Sequence, residues 1–389
     1  MTGILENDIA EQLALGAQDR QTVSTATHKF YRYPARFSPQ FAAAAIKAFT
    51  APGDLVFDPF IGGGTTAVEA MILGRHCLGT DINELALFVS KVKITLLDDH
   101  EINFLNSWFP IFYNGLKLSK SNFACSEWRQ KGYFKHLESP ETWRHRNLIH
   151  IAISEIEKLP THRLSDFMRC IVLRSMQLSL DGRRELMTLE QVRRKICEHF
   201  IEMLAAMSEM KLSNLCLPVP TLHKCSAINL QGLTDVFKGK KPKLILTSPP
   251  YPGVHVLYHR WQVRGRRETA APYWIANKLD GDGERYYTLG NRQEPKLKTY
   301  FKNLDMIFRS MRSVVGLDTH IVQMVAFSEP DWQLPKYLDI MRQSGFQELK
   351  LQDCKNSRIW RDVPNRKWHA SRQSNRKASR EVVLIHQPI

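Results

Sequence analysis

Short apolar runs alternate with longer segments of helical periodicity in the first and last parts of the chain. Apolar runs of about four to eight residues that end at turn residues predict buried strands. They lie at 54–58, 76–81, 219–228, 243–246, 320–327, 347–351 and 381–386. Apolar residues spaced three or four apart predict helices at 42–49, 68–73, 84–99, 298–315 and 331–344. This alternation predicts an open α/β sheet.

The middle of the chain, residues 101–222, has a mainly helical pattern instead. Thr188 and Gln191 have the spacing of a capping box, and the helix after them carries an apolar stripe that predicts a buried face. The stripe consists of Val192, Ile196, Phe200, Met203 and Met207. More than about 100 residues is too long for an ordinary connection, so we expect an inserted domain or a lid.

A glycine-rich turn follows the predicted strand 54–58. Gly62, Gly64 and Ala67 fit the G-x-G-x-x-G/A spacing that lets backbone approach a ligand closely. Asp81 ends the next strand, where a carboxylate can accept both ribose hydroxyls. Asp58, just before the turn, would repel a pyrophosphate but would hold an ammonium group. This favours a nucleoside that carries an amino acid, such as S-adenosylmethionine, over NAD; the alternative is that Asp58 only caps the turn.

A rigid turn, Thr247-Ser248-Pro249-Pro250-Tyr251, ends the predicted strand at 243–246. The Ser248 hydroxyl and the Pro249 carbonyl are suited to accept the two N–H protons of a nucleobase amine, which would localise the nitrogen lone pair for methyl transfer. Tyr251 could stack on the base, which must leave its duplex to reach the turn. No cysteine lies in or beside this turn, which argues against covalent attack on carbon 5 of cytosine. The alternative is a simple strand end with Tyr251 in the core.

Charge points to a polyanionic partner. The chain of 389 residues has a formal net charge of +15 and a pI near 9.5, which favours nucleic acid over an acidic small molecule. Two basic segments are candidates for phosphate contacts and base reading. They contain Arg260, Arg264, Arg266 and Arg267, and, within 355–380, Arg366 and Lys367. The alternatives are solvated surfaces and, for 355–380, a flexible basic loop.

Seven cysteines are scattered without the two-residue spacing of a zinc site, and their odd number argues against a disulfide framework. The first residues carry Glu6, Asp8 and Glu11 and no basic start, unlike a signal peptide. No apolar run approaches the roughly 18 residues of a membrane span. We therefore expect a cytoplasmic protein without a metal site and without a membrane partner.

Two of these motifs resemble those of a known family. The segments Asp58–Thr66 and Thr247–Tyr251 resemble the cofactor and catalytic motifs of site-specific DNA amino-methyltransferases, the kind found in restriction–modification systems. The segment Tyr33–Phe37 resembles the family segment that packs beside the methionine moiety. The resemblance implies a Rossmann-like, seven-stranded methyltransferase sheet with helices on both faces, and S-adenosyl-L-methionine as donor. The helical insertion departs from the family's variable recognition domains.

The resemblance also implies roles for individual residues. The implied cofactor-binding residues are Phe37, Asp58, Phe60, Gly62, Gly64, Thr65, Thr66 and Asp81, and the implied catalytic residues are Ser248, Pro249, Pro250 and Tyr251. Serine at the first position of the catalytic motif is commoner in cytosine-N4 enzymes and aspartate in adenine-N6 enzymes, so we expect methylation of cytosine N4, with adenine N6 as the alternative.

These expectations divide the chain into an N-terminal segment with the cofactor-binding half (1–100), the helical insertion (101–222) and the catalytic half with the basic segments (223–389). The insertion either clamps DNA or braces the fold. The expected partners are double-stranded DNA and a cognate restriction endonuclease. The alternatives to a DNA methyltransferase are an RNA amino-methyltransferase and a DNA-binding protein that has lost catalysis.

Overall fold

A central sheet with helices on both faces organises the computed structural model of the chain. The structure describes residues 3–19, 26–33, 37–118, 127–213, 217–237, 239–253, 260–265, 267–281, 287–351, 358–362 and 380–389. Its strands are β1 (Gly3–Leu5), β2 (Leu55–Asp58), β3 (His76–Asp81), β4 (Thr221–Lys224), β5 (Leu244–Thr247), β6 (Trp261–Val263), β7 (Arg267–Thr269), β8 (His320–Ala326), β9 (Phe346–Leu351), β10 (Ile359–Asp362) and β11 (Arg380–Pro388).

Nine strands of the described residues form one sheet, in the order β1-β9-β11-β8-β5-β2-β3-β4, with β10 paired to the start of β11. The strands β4, β3, β2, β5 and β8 run parallel, whereas β11 is antiparallel to both of its neighbours β8 and β9. The seven strands that the sequence predicts occupy seven consecutive positions, so the Rossmann-like methyltransferase sheet is confirmed. The short strands β1 and β10 add to this sheet and were not predicted.

Thirteen helices flank or extend this sheet in the part of the chain that the structure covers. They are α1 (Asn7–Gln18), α2 (Pro39–Phe49), α3 (Thr65–Ile72), α4 (Glu84–Ile94), α5 (Asp99–Gly115), α6 (Glu127–Gln130), α7 (Trp143–Ile156), α8 (His162–Leu180), α9 (Leu189–Ser213), α10 (Thr234–Phe237), α11 (Ala271–Ala276), α12 (Lys298–Val314) and α13 (Pro330–Gln343). Three short 3₁₀ turns lie at Ala26–Phe30, Ala227–Leu233 and Pro295–Leu297. Among these helices, none is both long and apolar enough to cross a membrane.

The sheet is apolar because helices cover both of its faces. Successive side chains of a strand point to opposite faces. In β5, Leu244 and Leu246 therefore join the core under α1, α2 and α3, while Ile245 joins the core under α12 and α13. All four residues of β5 are buried, as expected for a strand covered on both faces. β5 ends at Thr247, shortly before two prolines, which cannot donate ladder hydrogen bonds.

The helical region predicted at 101–222 contains α5 to α9. The predicted capping box is confirmed, since Thr188 Oγ1 accepts the Gln191 N–H at 3.2 Å and Gln191 Oε1 accepts the Thr188 N–H at 2.8 Å. The apolar stripe of α9 is buried, as predicted, in a core that this region shares with α4 and α11. The helical region thus packs directly onto the sheet's own helix α4.

Candidate active site

The glycine turn joins β2 to α3 at the carboxyl edge of the sheet. Gly62 and Gly64 have φ values of +48° and +79°, in the left-handed region that favours glycine. A Cβ atom on Gly63 would lie 2.6 Å from the Cβ of Tyr33, and one on Gly64 would lie 2.7 Å from Ser90 Oγ. Glycine is therefore required here both for conformation and for space.

Two side chains of α4 hold the carbonyls of this turn. Lys93 Nζ donates to the Gly63 carbonyl at 2.6 Å, and Ser90 Oγ donates to the Gly62 carbonyl at 2.8 Å. Both side chains are fully buried. No motif marks these roles, and the one signal of them in the sequence is a lysine on the apolar face of a predicted helix.

Asp58 ends β2 and joins the glycine turn to the proline turn. Its carboxylate accepts hydrogen bonds from Thr66 Oγ1 at 2.6 Å, from Thr247 Oγ1 at 2.7 Å and from the Phe60 N–H at 3.0 Å. Burial raises the pKa of Asp58 to about 6, and these hydrogen bonds oppose the rise. Asp58 makes the capping contact of the alternative interpretation, and it also lines a pocket, described below, together with residues of both turns.

Asp81 stands at the end of β3, beside the same turn. Its carboxylate accepts the Gly62 N–H at 3.0 Å and the Asn83 N–H at 2.9 Å. Burial raises the pKa of Asp81 to about 6, against the effect of these backbone donors. Asn83 caps α4 and also donates to the Tyr33 hydroxyl at 3.1 Å. Asp81 is thus fixed against the glycine turn, and its contact with ribose hydroxyls stays a prediction.

The proline turn follows β5, which pairs in parallel with β2, so both turns lie at one edge of the sheet. Ser248 Oγ has two acceptors in reach, the Tyr251 hydroxyl oxygen at 2.9 Å and the Met324 carbonyl at 3.0 Å. The Tyr300 hydroxyl donates to the Pro250 carbonyl at 2.7 Å. The Tyr251 ring is buried and its hydroxyl donates to Glu381 at 3.0 Å. Stacking of Tyr251 on a base stays a prediction.

One pocket brings the two turns together. It encloses about 890 Å³, its open mouth included. Of the predicted site residues, it is lined by Phe37, Asp58, Phe60, Gly62, Thr65, Asp81, Ser248 and Pro250. The other four lie in the same turns: Gly64 packs on Ser90, Thr66 donates to Asp58, and Pro249 and Tyr251 are buried.

Other residues of the pocket wall come from segments that no motif marked. They are Cys225, Ser226 and Ala227 after β4, Tyr287 and Leu289 before α12, and Ile307 on α12. Tyr287 bonds to Asp280 at 3.2 Å, and Asp280 pairs with Arg260. These residues reach the pocket through long-range packing, which leaves no local spacing in the sequence.

The predicted DNA-binding residues fall into two groups. Arg260 pairs with Asp280 at 2.8 Å and Arg264 with Glu141 at 3.0 Å, while Arg267 is exposed at the start of β7. Arg266, Arg366 and Lys367 lie outside the described residues. The ion pair of Arg260 therefore stabilises its own segment. Contact with DNA stays a prediction for all six residues.

Comparison with known proteins finds matches around the glycine turn. The DNA methylase family model for N6 and N4 enzymes matches residues 16–91. Type II methyltransferase M.MjaII of Methanocaldococcus jannaschii is 34% identical over 71 residues, 18% of this chain and 13% of that protein. Type II methyltransferase M.MvaI of Kocuria varians is 35% identical over 80 residues, 20% of this chain and 18% of that protein.

A longer match extends beyond this segment. Type II methyltransferase M.BsoBI of Geobacillus stearothermophilus is 24% identical over 254 residues, 58% of this chain and 49% of that protein. The chain thus spans about half or less of the length of these relatives. Among solved structures, the rRNA methyltransferase aviRa from Streptomyces viridochromogenes matches 98% of this chain and 94% of its own length. The sequence identity is 11% and the TM-score is 0.36. The segment that holds the glycine turn, residues 16–91, thus matches the DNA methylase family of N6 and N4 enzymes, and the chain is similar to Type II methyltransferases over this part and beyond it.

Proposed function

We propose that the protein is a DNA (cytosine-N4-specific) methyltransferase that uses S-adenosyl-L-methionine and modifies the exocyclic amine of a base flipped out of duplex DNA. The observation that carries the proposal is the carboxylate of Asp58. It accepts hydrogen bonds from Thr66 in the glycine turn and from Thr247 in the proline turn. A donor held by the first turn and a base held by the second would therefore meet in one pocket.

The residues that line the pocket fit the chemistry of the donor. Phe37 and Phe60 line the pocket with apolar surface, Asp81 would accept the ribose hydroxyls, and Asp58 would supply negative charge for an ammonium group. A side chain on Gly63 would displace Tyr33, so the backbone of this turn is kept close to the pocket. When bound, S-adenosyl-L-methionine supplies a methyl group on a positively charged sulfonium.

The proline turn supplies the acceptor side. An exocyclic amine is a poor nucleophile because its lone pair is delocalised into the ring. Ser248 Oγ and the Pro249 carbonyl would accept its two N–H protons, orient the nitrogen and localise the lone pair. Tyr300 holds the turn in place through the Pro250 carbonyl. Such positioning supplies most of the acceleration in a direct transfer.

Nucleoside analysis of DNA tests this proposal. The chain is expressed in cells that lack DNA methyltransferases, and their DNA is hydrolysed and analysed by mass spectrometry. We expect N4-methylcytosine with the wild-type chain and none with Ser248→Ala. N6-methyladenine in its place would support the adenine alternative, and donor binding without either base would support a protein that has lost catalysis.

Two further assays address partners and substrate. Sequencing that detects methylated bases would give the recognition site, and protection of that site from a co-expressed nuclease would identify the restriction endonuclease that we propose as partner. Methyl incorporation from labelled donor into duplex DNA is compared with that into transfer and ribosomal RNA. Higher incorporation into RNA would contradict the proposal.

A further inference from the structure

Glu381, at the start of β11, lies behind the proline turn, and no motif marks it. Its side chain is 5% exposed. One carboxylate oxygen accepts from the Tyr251 hydroxyl at 3.0 Å, and the other accepts from Arg361 Nε at 2.6 Å. A buried acid is thereby joined to a predicted catalytic residue that lies 130 positions away in the chain.

The strand pairing holds this acid in place. Arg361 of β10 lies directly opposite Glu381 of β11 in the antiparallel register. Arg361 also donates from Nη1 to the Ala17 carbonyl at 3.3 Å, at the end of α1. The guanidinium compensates the charge of the buried carboxylate, which would otherwise be costly. Glu381 is therefore available to Tyr251 as a fixed acceptor.

The chemistry of the groups sets the direction of the hydrogen bonds. An ionised carboxylate can only accept, so the single hydroxyl proton of Tyr251 points to Glu381. The Tyr251 oxygen is then an acceptor for Ser248 Oγ, and the Met324 carbonyl is a second one. Both of these acceptors for the Ser248 proton lie inside the protein. The lone pairs of Ser248 Oγ are left for the pocket.

We propose that Glu381 is a positioning residue that acts through Tyr251 and makes Ser248 a hydrogen-bond acceptor toward the target amine. The inference rests on the proposed function, in which Ser248 accepts an amine N–H. Without the carboxylate, Tyr251 donates its proton to Ser248 instead. That bond consumes a lone pair of Ser248 Oγ and weakens its hold on the amine.

The test is steady-state kinetics with Glu381→Gln, using DNA from cells that lack methyltransferases as substrate. An amide of nearly the same shape replaces the carboxylate: Arg361 needs its single oxygen as acceptor, so its NH2 group, a donor, faces Tyr251. We expect kcat to fall on the order of 10- to 100-fold, the loss typical of a misplaced reacting group. The KM for DNA and the donor Kd are expected to stay within about threefold.

Glu348→Gln is the matched control. Glu348 of β9 pairs with Arg358 at 2.6 and 2.9 Å in the same sheet, with side-chain exposures of 15% and 23%. This variant also loses an arginine–glutamate pair, so the unfolding temperature should fall in both variants. The kcat should fall only in Glu381→Gln. Equal kcat values for the two variants would overturn the inference.

A double-mutant cycle with Tyr251→Phe separates positioning from stability. The phenylalanine keeps the ring and removes the hydroxyl, so Glu381→Gln should cause no further loss of kcat in that background. Full additivity would overturn the inference. If Glu381→Gln does not fold, Glu381→Met replaces it: methionine offers Tyr251 no oxygen acceptor, so the same fall in kcat is expected, and an unchanged kcat would overturn the inference. Absence of transfer by the wild-type protein would instead refute the proposed function, and the inference with it.

Discussion

Thr247→Val should shift the pH dependence of donor binding. Thr247 Oγ1 donates to Asp58 at 2.7 Å in a site where both residues are buried. Valine keeps most of the shape of threonine but removes this donor. Asp58 then keeps two hydrogen bonds, from Thr66 and from the Phe60 N–H. The substitution thus destabilises the ionised form of one carboxyl group and leaves the glycines of the turn unchanged.

The size of the shift follows from the lost hydrogen bond. A hydrogen bond to a charged group contributes about 1.5–3 kcal/mol, and 1.36 kcal/mol corresponds to one pKa unit. The pKa of Asp58, about 6 in the wild type, should therefore rise to roughly 7–8 in the variant. Donor binding uses the ionised form in our proposal. Affinity should then fall as the pH drops through about 6 in the wild type, and already near neutrality in Thr247→Val.

Calorimetric titration of S-adenosyl-L-methionine at pH values between about 5 and 8 measures the midpoint, which is the pH at which half of the binding affinity is lost. Asp81 also has a pKa raised to about 6, but Thr247 does not touch it, so an upward shift in the variant belongs to Asp58. Thr319→Val is the control. Thr319 is a buried threonine whose hydroxyl donates to the Pro242 carbonyl, at the amino end of the strands.

The control should lose stability without moving the midpoint. An unmoved midpoint in Thr247→Val would refute the role of Asp58 charge in donor binding. If the midpoint moves equally in Thr247→Val and Thr319→Val, the shift comes from a general loss of sheet stability and not from the hydrogen bond to Asp58.

Three further substitutions test the site. Lys93→Met removes the ammonium group that donates a hydrogen bond to the Gly63 carbonyl. The affinity for S-adenosyl-L-methionine, measured by calorimetry, should therefore fall about tenfold or more, with the circular dichroism spectrum unchanged. Gly64→Ala places a Cβ 2.7 Å from Ser90 Oγ at a φ of +79°, so it should lower both the unfolding temperature and donor affinity, and Ser90→Gly should restore part of each. Asp81→Ala should raise the donor Kd by about tenfold, because it loses the predicted ribose contact, while kcat at saturating donor changes less.

Local patterns predicted the features that local forces determine. The turn at Gly62 and Gly64 needs left-handed backbone just after a buried strand, and the sequence shows both conditions. A serine followed by a proline is a typical helix start, and Ser38 Oγ accepts the Phe41 N–H at 3.1 Å where α2 begins at Pro39. Such features depend on neighbours a few residues away, so they are visible in the sequence.

Other boundaries were less well predicted. The helix expected at 84–99 ends at Ile94, and a second helix begins at Asp99. Asp98 and Glu101 form a capping box there, a signal that was present in the sequence and was overlooked. The strands β1 and β10 have three and four residues, too few for a periodic pattern.

Long-range contacts explain the remaining gaps. The hydroxyl of Tyr251 meets Glu381, which is brought there by the antiparallel return of β11, and no local pattern indicates this partner. Tyr287 and Ile307 reach the pocket from segments with no motif of their own. Sequence patterns identify the residues that shape the turns, whereas the residues that support them depend on which strands and helices become neighbours.

The helical region packs against the helix that supports the glycine turn. Phe167 of α8 lies in one core with Phe88 and Val92 of α4. The opposite side of α4 carries Ser90 and Lys93, which hold the carbonyls of the glycine turn. Because α4 lies between the two, the core of the helical region fixes the position of the turn. This packing favours bracing over a clamp on DNA as the role of residues 101–222, and both roles stay predictions.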